Sequence, residues 1–363
     1  MKQQLLFSVF LTLFSFHLAL VVDISAQSKK VNAYIESEMR RQNIPGLSLA
    51  IIKEGKVIKA KGYGMANVEM NVPVTTETVF KIGSISKPII AEGIMILVEE
   101  GKLSPDDKIS KYLEGTPESW KDITVRHLLS HTSGIIREAP GFSPARSIPD
   151  ADLIKSAFPA PLLFTPGEKH EYSNVGYMAL AEIIHRISTK SWDDFFKERL
   201  FAPLGMNATR TTTFGEIVPN RANSYSLENG KLQNSPIMLA LRPSGAFLSS
   251  LSDLLKWEAA LNSSKSLKPE TRMVMWAPFK FNNGTDSGYA FGWRVSEVNG
   301  RKRIHHGGAL DGFRSEIARF VDDKITVIVL TNLANAKPME ISVGVAELYI
   351  PAPNQNSRNS KGQ

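Results

Sequence analysis

The chain of 363 residues contains no cysteine. Disulfide bonds, a thiol nucleophile, thiolate-bound metals and a lipidated N-terminal cysteine are therefore excluded. No segment has the zinc-binding order His-Glu-x-x-His, because His170-Glu171 lacks the second histidine. The glycine-rich fingerprints of phosphate-binding loops and dinucleotide-binding folds are absent as well. We expect neither a metal nor any other cofactor.

The sequence also has few dense clusters of like-charged residues. The formal net charge is +7, but the positive excess is spread out, and only short basic clusters occur, at 29–30, 40–41 and 301–303. None of them alternates with aromatic residues, as a nucleic-acid-binding face would. We therefore expect no nucleic-acid partner.

Beyond residue 22, no apolar run is long enough to cross a bilayer. The run from Leu5 to Val22 follows a basic start at Lys2 and precedes the small residue Ala26. This order is typical of an export signal, so we expect residues 1–26 to be cleaved off. Because the run is near the lower length limit of a membrane span, a retained anchor is the alternative. We expect an exported protein, periplasmic or extracellular, without stable membrane insertion after cleavage.

The hydrophobic pattern predicts an α+β fold. Runs rich in β-forming residues occupy 47–53, 56–63, 289–296, 302–306, 313–320 and 325–331. Helical periodicity covers 31–41, 89–98, 123–129, 175–188 and 339–349. We predict one antiparallel sheet of about five strands, flanked by helices and built from both chain ends, with a mostly helical lobe inserted between them. The sheet lobe covers roughly 27–105 and 285–350, the helical lobe roughly 106–284, and 351–363 forms a flexible tail.

A nucleophile and a base are predicted side by side at Ser84 and Lys87. If the apolar segment after them is a helix, both side chains share one face of its first turn, about 5–6 Å apart at Cβ. The amide groups of a helix N-terminus favour negative charge at the same place. Because Pro88 lacks a backbone N–H and crowds the preceding turn, we expect the first turn of this helix to be irregular. Alone, the pair is equally consistent with a helix cap and a solvated lysine.

Two further motifs follow in order along the chain. Tyr172-Ser173-Asn174 leads into the predicted helix at 175, and His306-Gly307-Gly308 lies on a predicted late strand. The order Ser-x-x-Lys, Tyr-x-Asn, His-x-Gly resembles the serine β-lactamase and penicillin-binding protein superfamily, and within it the class C β-lactamase-like branch. The similarity covers most of residues 30–350.

The resemblance implies a role for each matched residue. Ser84 would attack an amide or ester carbonyl and become acylated, and Lys87 or Tyr172 would take its proton. The sequence does not choose between these two bases. Asn174 would bind the acyl side-chain amide of the substrate, and Gly308 would allow close approach of the strand. The backbone N–H groups of Ser84 and Ala309 would hold the oxyanion.

His306 departs from the pattern of most β-lactamases in this superfamily, which have lysine there. A histidine with an ordinary pKa near 6.5 is mostly neutral at pH 7, so it would hold a substrate carboxylate less firmly. This favours a peptidase, amidase or esterase over an efficient β-lactamase. Its neighbour His305 points to the other face of the strand and is expected to be structural.

Three functions follow from the resemblance and compete. The first is a serine hydrolase acting through an acyl-enzyme on D-amino-acid peptides, carboxylic esters or β-lactam-like substrates. Its partner would be a small-molecule or peptide substrate, with the cell wall as one source. The second is a penicillin-binding sensor or trapping protein that is acylated with little turnover. The third is a non-catalytic relative. The joint presence of Ser84, Lys87, Tyr172 and Asn174 argues against the third.

Overall fold

The computed structural model describes residues 26–143, 146, 148–213, 215–235 and 243–350. Apart from Ala26, the predicted export signal lies outside these ranges, as does the predicted tail at 351–363. Among the described residues, no helix combines the length and the apolar character that a bilayer span requires.

The secondary structure confirms the α+β class. The strands are β1 (Gly46–Lys53), β2 (Lys56–Asn67), β3 (Val72–Pro73), β4 (Val79–Lys81), β5 (Tyr225–Glu228), β6 (Lys231–Asn234), β7 (Leu248–Ser250), β8 (Arg294–Val298), β9 (Arg301–Leu310), β10 (Phe313–Phe320) and β11 (Ile325–Thr331). The helices are α1 (26–42), α2 (Ser86–Glu99), α3 (Val125–Leu129), α4 (Asp150–Ser156), α5 (Asn174–Ser188), α6 (Trp192–Phe196), α7 (Ala202–Leu204), α8 (Leu251–Leu261), α9 (Pro269–Trp276) and α10 (Pro338–Glu347).

The main sheet has seven strands in the order β3-β2-β1-β11-β10-β9-β8, with every neighbouring pair antiparallel. About five strands were predicted. Six of the seven correspond to the β-forming runs identified in the sequence, and the seventh, β3, is only two residues long and therefore has no alternating pattern to detect. The central pair β1 and β11 joins the two ends of the chain, as predicted.

Both faces of the sheet are buried at its central strands β1 and β11. Along β1, Leu47, Leu49 and Ile51 pack with α1 and α10, whereas Ala50 and Ile52 pack into the larger core that contains α2. This two-sided burial explains why β1 and β11 are almost continuously apolar. Helix α2 belongs to the larger core. The catalytic candidates Ser84 and Lys87 therefore lie where this helix meets the sheet.

Strand β8 begins later than predicted. The run from Tyr289 to Trp293 alternates large apolar side chains like a strand, but it forms a turn in which Ala290 N–H donates to Trp293 O at 2.7 Å. Gly292 in this turn has a φ of +78°, and a Cβ there would lie 2.9 Å from the Lys87 carbonyl oxygen. The turn packs against α2 at Gly292, and Trp293 stacks on Trp257 of α8, so these side chains are buried without belonging to the sheet.

Candidate active site

Ser84 lies in a 3-10 turn, Gly83–Ile85, directly before α2. This turn is the irregular start that Pro88 predicts. Because α2 begins at Ser86, the proline falls in its first turn, where a missing N–H removes no intrahelical hydrogen bond. Gly83 has a φ of +55°, which glycine adopts without steric cost.

Lys87 is fully buried beside the candidate nucleophile. Its Nζ donates to Asn174 Oδ1 and to the Ser244 carbonyl oxygen, both at 2.8 Å, and lies 3.4 Å from Ser84 Oγ. The same Nζ is 4.6 Å from the centre of the Tyr172 ring. Two of the three motifs singled out in the sequence, Ser-x-x-Lys and Tyr-x-Asn, therefore converge on one amino group.

The junction before α5 is fixed by several hydrogen bonds. Ser173 caps the helix, since its Oγ accepts from Gly176 N–H at 3.0 Å and donates to the Ile136 carbonyl oxygen at 2.8 Å. Its backbone N–H donates to His131 Nδ1 at 3.0 Å. The His131 ring also stacks 4.2 Å from the Tyr172 ring. These contacts fix the position of Tyr172.

Asn174 is bound at both ends of its amide group. Its Oδ1 accepts from Lys87, and its Nδ2 donates to Glu138 Oε1. A lysine side chain donates and a carboxylate accepts, so these two partners fix the orientation of the amide. The sequence analysis identified Asn174 but not Glu138, which belongs to no motif and reaches the site through a loop.

The edge of β9 closes the site opposite Ser84. A Cβ at Gly308 would lie 1.9 Å from the Ile82 carbonyl oxygen, so only glycine permits this approach. Ser315 on β10 donates to the same carbonyl oxygen at 2.8 Å. A Cβ at Gly83 would lie 2.8 Å from Ala309 N, which places the Ala309 amide beside the nucleophile turn. This is the position that an oxyanion-binding N–H requires.

His306 is buried and held through both ring nitrogens. Its Nδ1 is 2.8 Å from the Gly307 carbonyl oxygen, which can only accept, so Nδ1 carries the proton, and Nε2 accepts from Tyr289 Oη at 2.9 Å. Burial, with a smaller effect of Lys87, lowers the pKa of His306 well below its usual value. His306 is therefore neutral at pH 7.

His305 points away from His306 and has structural partners. Its Nδ1 pairs with Glu316 Oε1 at 2.9 Å, and its Nε2 is 3.2 Å from Ser296 Oγ. Both partners lie on the neighbouring strands β10 and β8. The expected structural role agrees with these contacts.

A cleft of about 640 Å³ opens above these groups. Its lining includes Ser84, Tyr172, His306, Gly308, Ala309, Arg137 and Arg294. The guanidinium groups of Arg137 and Arg294 lie 5.2 and 5.5 Å from the centre of the Tyr172 ring. Both arginines are exposed. They were not identified from the sequence, because an isolated arginine carries no motif.

Comparisons with known proteins agree with this geometry. The Beta-lactamase family profile matches residues 31–346. Penicillin-binding protein 4* of Bacillus subtilis is 28% identical over 325 residues, which cover 84% of this chain and 71% of that protein. The octameric penicillin-binding protein homologue from Pyrococcus abyssi is 30% identical, with a TM-score of 0.78 over 89% of this chain and 77% of that one.

A third comparison shows the fold alone. The D-amino acid amidase from Ochrobactrum anthropi, at 23% identity, gives a TM-score of 0.75 over 89% of this chain and 96% of the amidase. The family profile spans the sheet, the helical lobe and every residue of the site described above. The chain belongs to the Beta-lactamase family, whose relatives with this fold include serine hydrolases.

Proposed function

We propose that the protein is a serine hydrolase that forms an acyl-enzyme on Ser84 and hydrolyses amide or ester bonds. The observation that carries the proposal is the connected set Ser84, Lys87 and Asn174, placed opposite the Ala309 amide at the floor of an open cleft. A nucleophile, a base and an oxyanion site then face one carbonyl position.

In the first step, Ser84 Oγ attacks the carbonyl carbon as its proton passes to Lys87 or Tyr172. A neutral lysine has two N–H groups, which match the two acceptors Asn174 Oδ1 and Ser244 O, and one lone pair for the serine proton. The amides of Ser84 and Ala309 would stabilise the oxyanion. Removing one such donor typically costs about 3 kcal/mol.

The intermediate then collapses to products in two stages. The amine or alcohol leaves with the proton that the base received, and the acyl group remains on Ser84. A water molecule, deprotonated by the same base, attacks the ester carbon and releases the acid. Lys87 and Tyr172 stay as alternative bases, and their 4.6 Å contact allows them to act as one coupled unit.

The surroundings of His306 support amides, peptides and esters over β-lactams as substrates. The neutral ring offers no positive charge, and both of its nitrogens are already engaged. The cations that line the cleft, Arg137, Arg294 and Lys337, are exposed, so solvent screens their attraction for a substrate carboxylate. D-amino-acid peptides, such as those of a cell wall, fit the proposal, and with them we propose an exported protein that acts outside the cytoplasm.

Covalent labelling tests the proposal. A fluorophosphonate probe should label the wild-type protein on one residue, and Ser84→Ala should abolish the label. Ser188→Ala, which removes a half-buried hydroxyl at the last residue of α5, should leave labelling unchanged. Equal labelling of wild type and Ser84→Ala would refute the proposed nucleophile.

A penicillin-binding sensor is the second candidate, favoured by the similarity to penicillin-binding protein 4*. Intact mass after addition of a fluorescent penicillin separates the two functions. An adduct on Ser84 that persists for hours identifies the sensor, whereas an adduct that forms and disappears identifies the hydrolase.

A further inference from the structure

Beside Asn174 lies a carboxylate, Glu138, that the mechanism above does not use. Glu138 Oε1 accepts from Asn174 Nδ2, and Asn174 Oδ1 accepts from Lys87 Nζ, which lies 3.4 Å from Ser84 Oγ. The carboxylate is thus two hydrogen bonds away from the proposed base. It is partly buried, so solvent screens its charge only in part.

The position of Glu138 is built into the backbone. The Asn174 N–H donates to the Arg137 carbonyl oxygen at 2.8 Å, and Ser173 Oγ donates to the Ile136 carbonyl oxygen at 2.8 Å. Two successive residues before Glu138 are therefore tied to the start of α5. The carboxylate is held beside Asn174 by the fold and is not an accidental contact of a long side chain.

This arrangement changes what Asn174 can do for a substrate. The Nδ2 group that would donate to an acylamino carbonyl already donates to a carboxylate. A carbonyl oxygen arriving there would meet a second acceptor and would have to displace a charge-assisted hydrogen bond. An ammonium group would instead donate to Glu138 and leave the Lys87–Asn174 contact intact.

We infer that the site selects substrates whose acyl group carries a free primary amine on the carbon next to the scissile carbonyl, and that Glu138 binds this amine as an ammonium. The inference rests on the proposed hydrolase function and names its substrate class, which is aminoacyl amides, esters and peptides with a free amino end. Substrates with an acylated amine are discriminated against.

Paired substrates test this selectivity. Alanine p-nitroanilide, as both enantiomers, is compared with its N-acetyl derivative in the wild-type protein, Glu138→Gln and the control Glu270→Gln. Glu270 is an exposed carboxylate in the first turn of α9. Glu138→Gln should lower kcat/KM for one free-amine enantiomer by about 10- to 100-fold, as expected for a hydrogen bond between charged groups. The value for the N-acetyl substrate should stay the same or rise.

The pH profile gives a readout that a purely structural role would not change. An α-amino group loses its proton near pH 8. In the wild type, kcat/KM for the free-amine anilide should therefore fall above that pH relative to the N-acetyl anilide. In Glu138→Gln this difference should vanish, and Glu138→Asp, which keeps the charge, should retain it.

Three results would overturn the inference, and labelling of Ser84 distinguishes its failure from failure of the proposed function. An equal loss for both anilides in Glu138→Gln would make Glu138 structural. Turnover of the N-acetyl anilide alone, with normal fluorophosphonate labelling of Ser84, would refute the inference and keep the hydrolase. No labelling of Ser84 and no turnover of either anilide would refute both.

Discussion

Gly308 shows how a single missing side chain positions the proposed chemistry. Any Cβ there would collide with the Ile82 carbonyl oxygen at 1.9 Å and with Ser315 Oγ at 2.2 Å. The backbone at Ile82 cannot move aside as the end of a flexible side chain can. Strand β9 would therefore be pushed away from the turn that contains Ser84. The Ala309 amide would move with it.

Gly308→Ala should therefore reduce kcat by about 10²-fold or more, the effect of losing one oxyanion donor. Gly176→Ala is the matched control, because its nearest atom lies 3.6 Å from the added Cβ and the residue is in a helix. That variant should be as stable as the wild type or slightly more so. Hydrolysis of an ester substrate measures the activity of the two variants, and thermal unfolding measures their stability. Full activity in Gly308→Ala would contradict the assignment of Ala309.

His306 makes a second prediction at this scale. His306→Lys would place a cation in a buried position next to Lys87 and would leave Tyr289 Oη without its nitrogen partner. An unpaired buried charge costs about 3–5 kcal/mol, so the melting temperature should fall by several degrees.

His185→Lys, at an exposed site near the end of α5, is the control and should unfold like the wild type. We expect no gain of nitrocefin hydrolysis in His306→Lys. A gain with unchanged stability would show that the missing cation alone limits β-lactam turnover, contrary to the contacts described above.

At the scale of one element, the cap of α5 connects stability to the site. Ser173→Ala should remove a cap worth about 1 kcal/mol and the tie to the Ile136 carbonyl oxygen. Because Tyr172 and Asn174 flank this residue, kcat should fall as well.

Ser191→Ala removes the corresponding cap of α6, where Ser191 Oγ accepts from Asp194 N–H at 3.3 Å. It should cost a similar free energy of unfolding without lowering kcat. Urea unfolding and ester hydrolysis on both variants separate the two effects. Equal loss of activity in the two would mean that the caps act only through global stability.

Elements with a strong periodic pattern were predictable from the sequence. The predicted bounds of β10 and β11 agree with the structure, and α5 begins one residue before its predicted start. The predicted start of β8 was wrong, because the large side chains buried in the turn between 289 and 293 alternate as they would in a strand. The local pattern of apolar residues indicates that a segment is buried, but it does not indicate which neighbouring element buries it.

The same reasoning explains which site residues were found. Ser84, Lys87, Tyr172, Asn174 and His306 belong to motifs, and the structure brings them together around one cleft. Glu138 reaches Asn174 across 36 positions through a loop. Contacts of that kind depend on tertiary packing, and no short-range pattern in the sequence encodes them.

Over the whole molecule, buried titratable groups make stability depend on pH in two opposing ways. Burial lowers the pKa of His127 and His170 to about 4, and those of His131 and His306 also lie well below their usual value. Between about pH 4 and 6.5 the unfolded chain therefore binds more protons at these histidines, so they lower stability as the pH falls.

Asp150 opposes this trend, because burial raises its pKa from 3.8 to about 7. The folded state keeps a proton there that the unfolded state loses, so its contribution to stability falls as the pH rises from about 4 to 7. Asp150→Asn keeps a side-chain acceptor for Trp192 Nε1, which lies 3.0 Å from Asp150 Oδ2, and removes the titration. The variant should gain stability over the wild type above pH 7, by about 1.4 kcal/mol for each unit of pKa difference removed, and little near pH 4. Thermal unfolding of both proteins from pH 4 to 8 measures this gap, and a gap independent of pH would contradict the raised pKa of the half-buried Asp150.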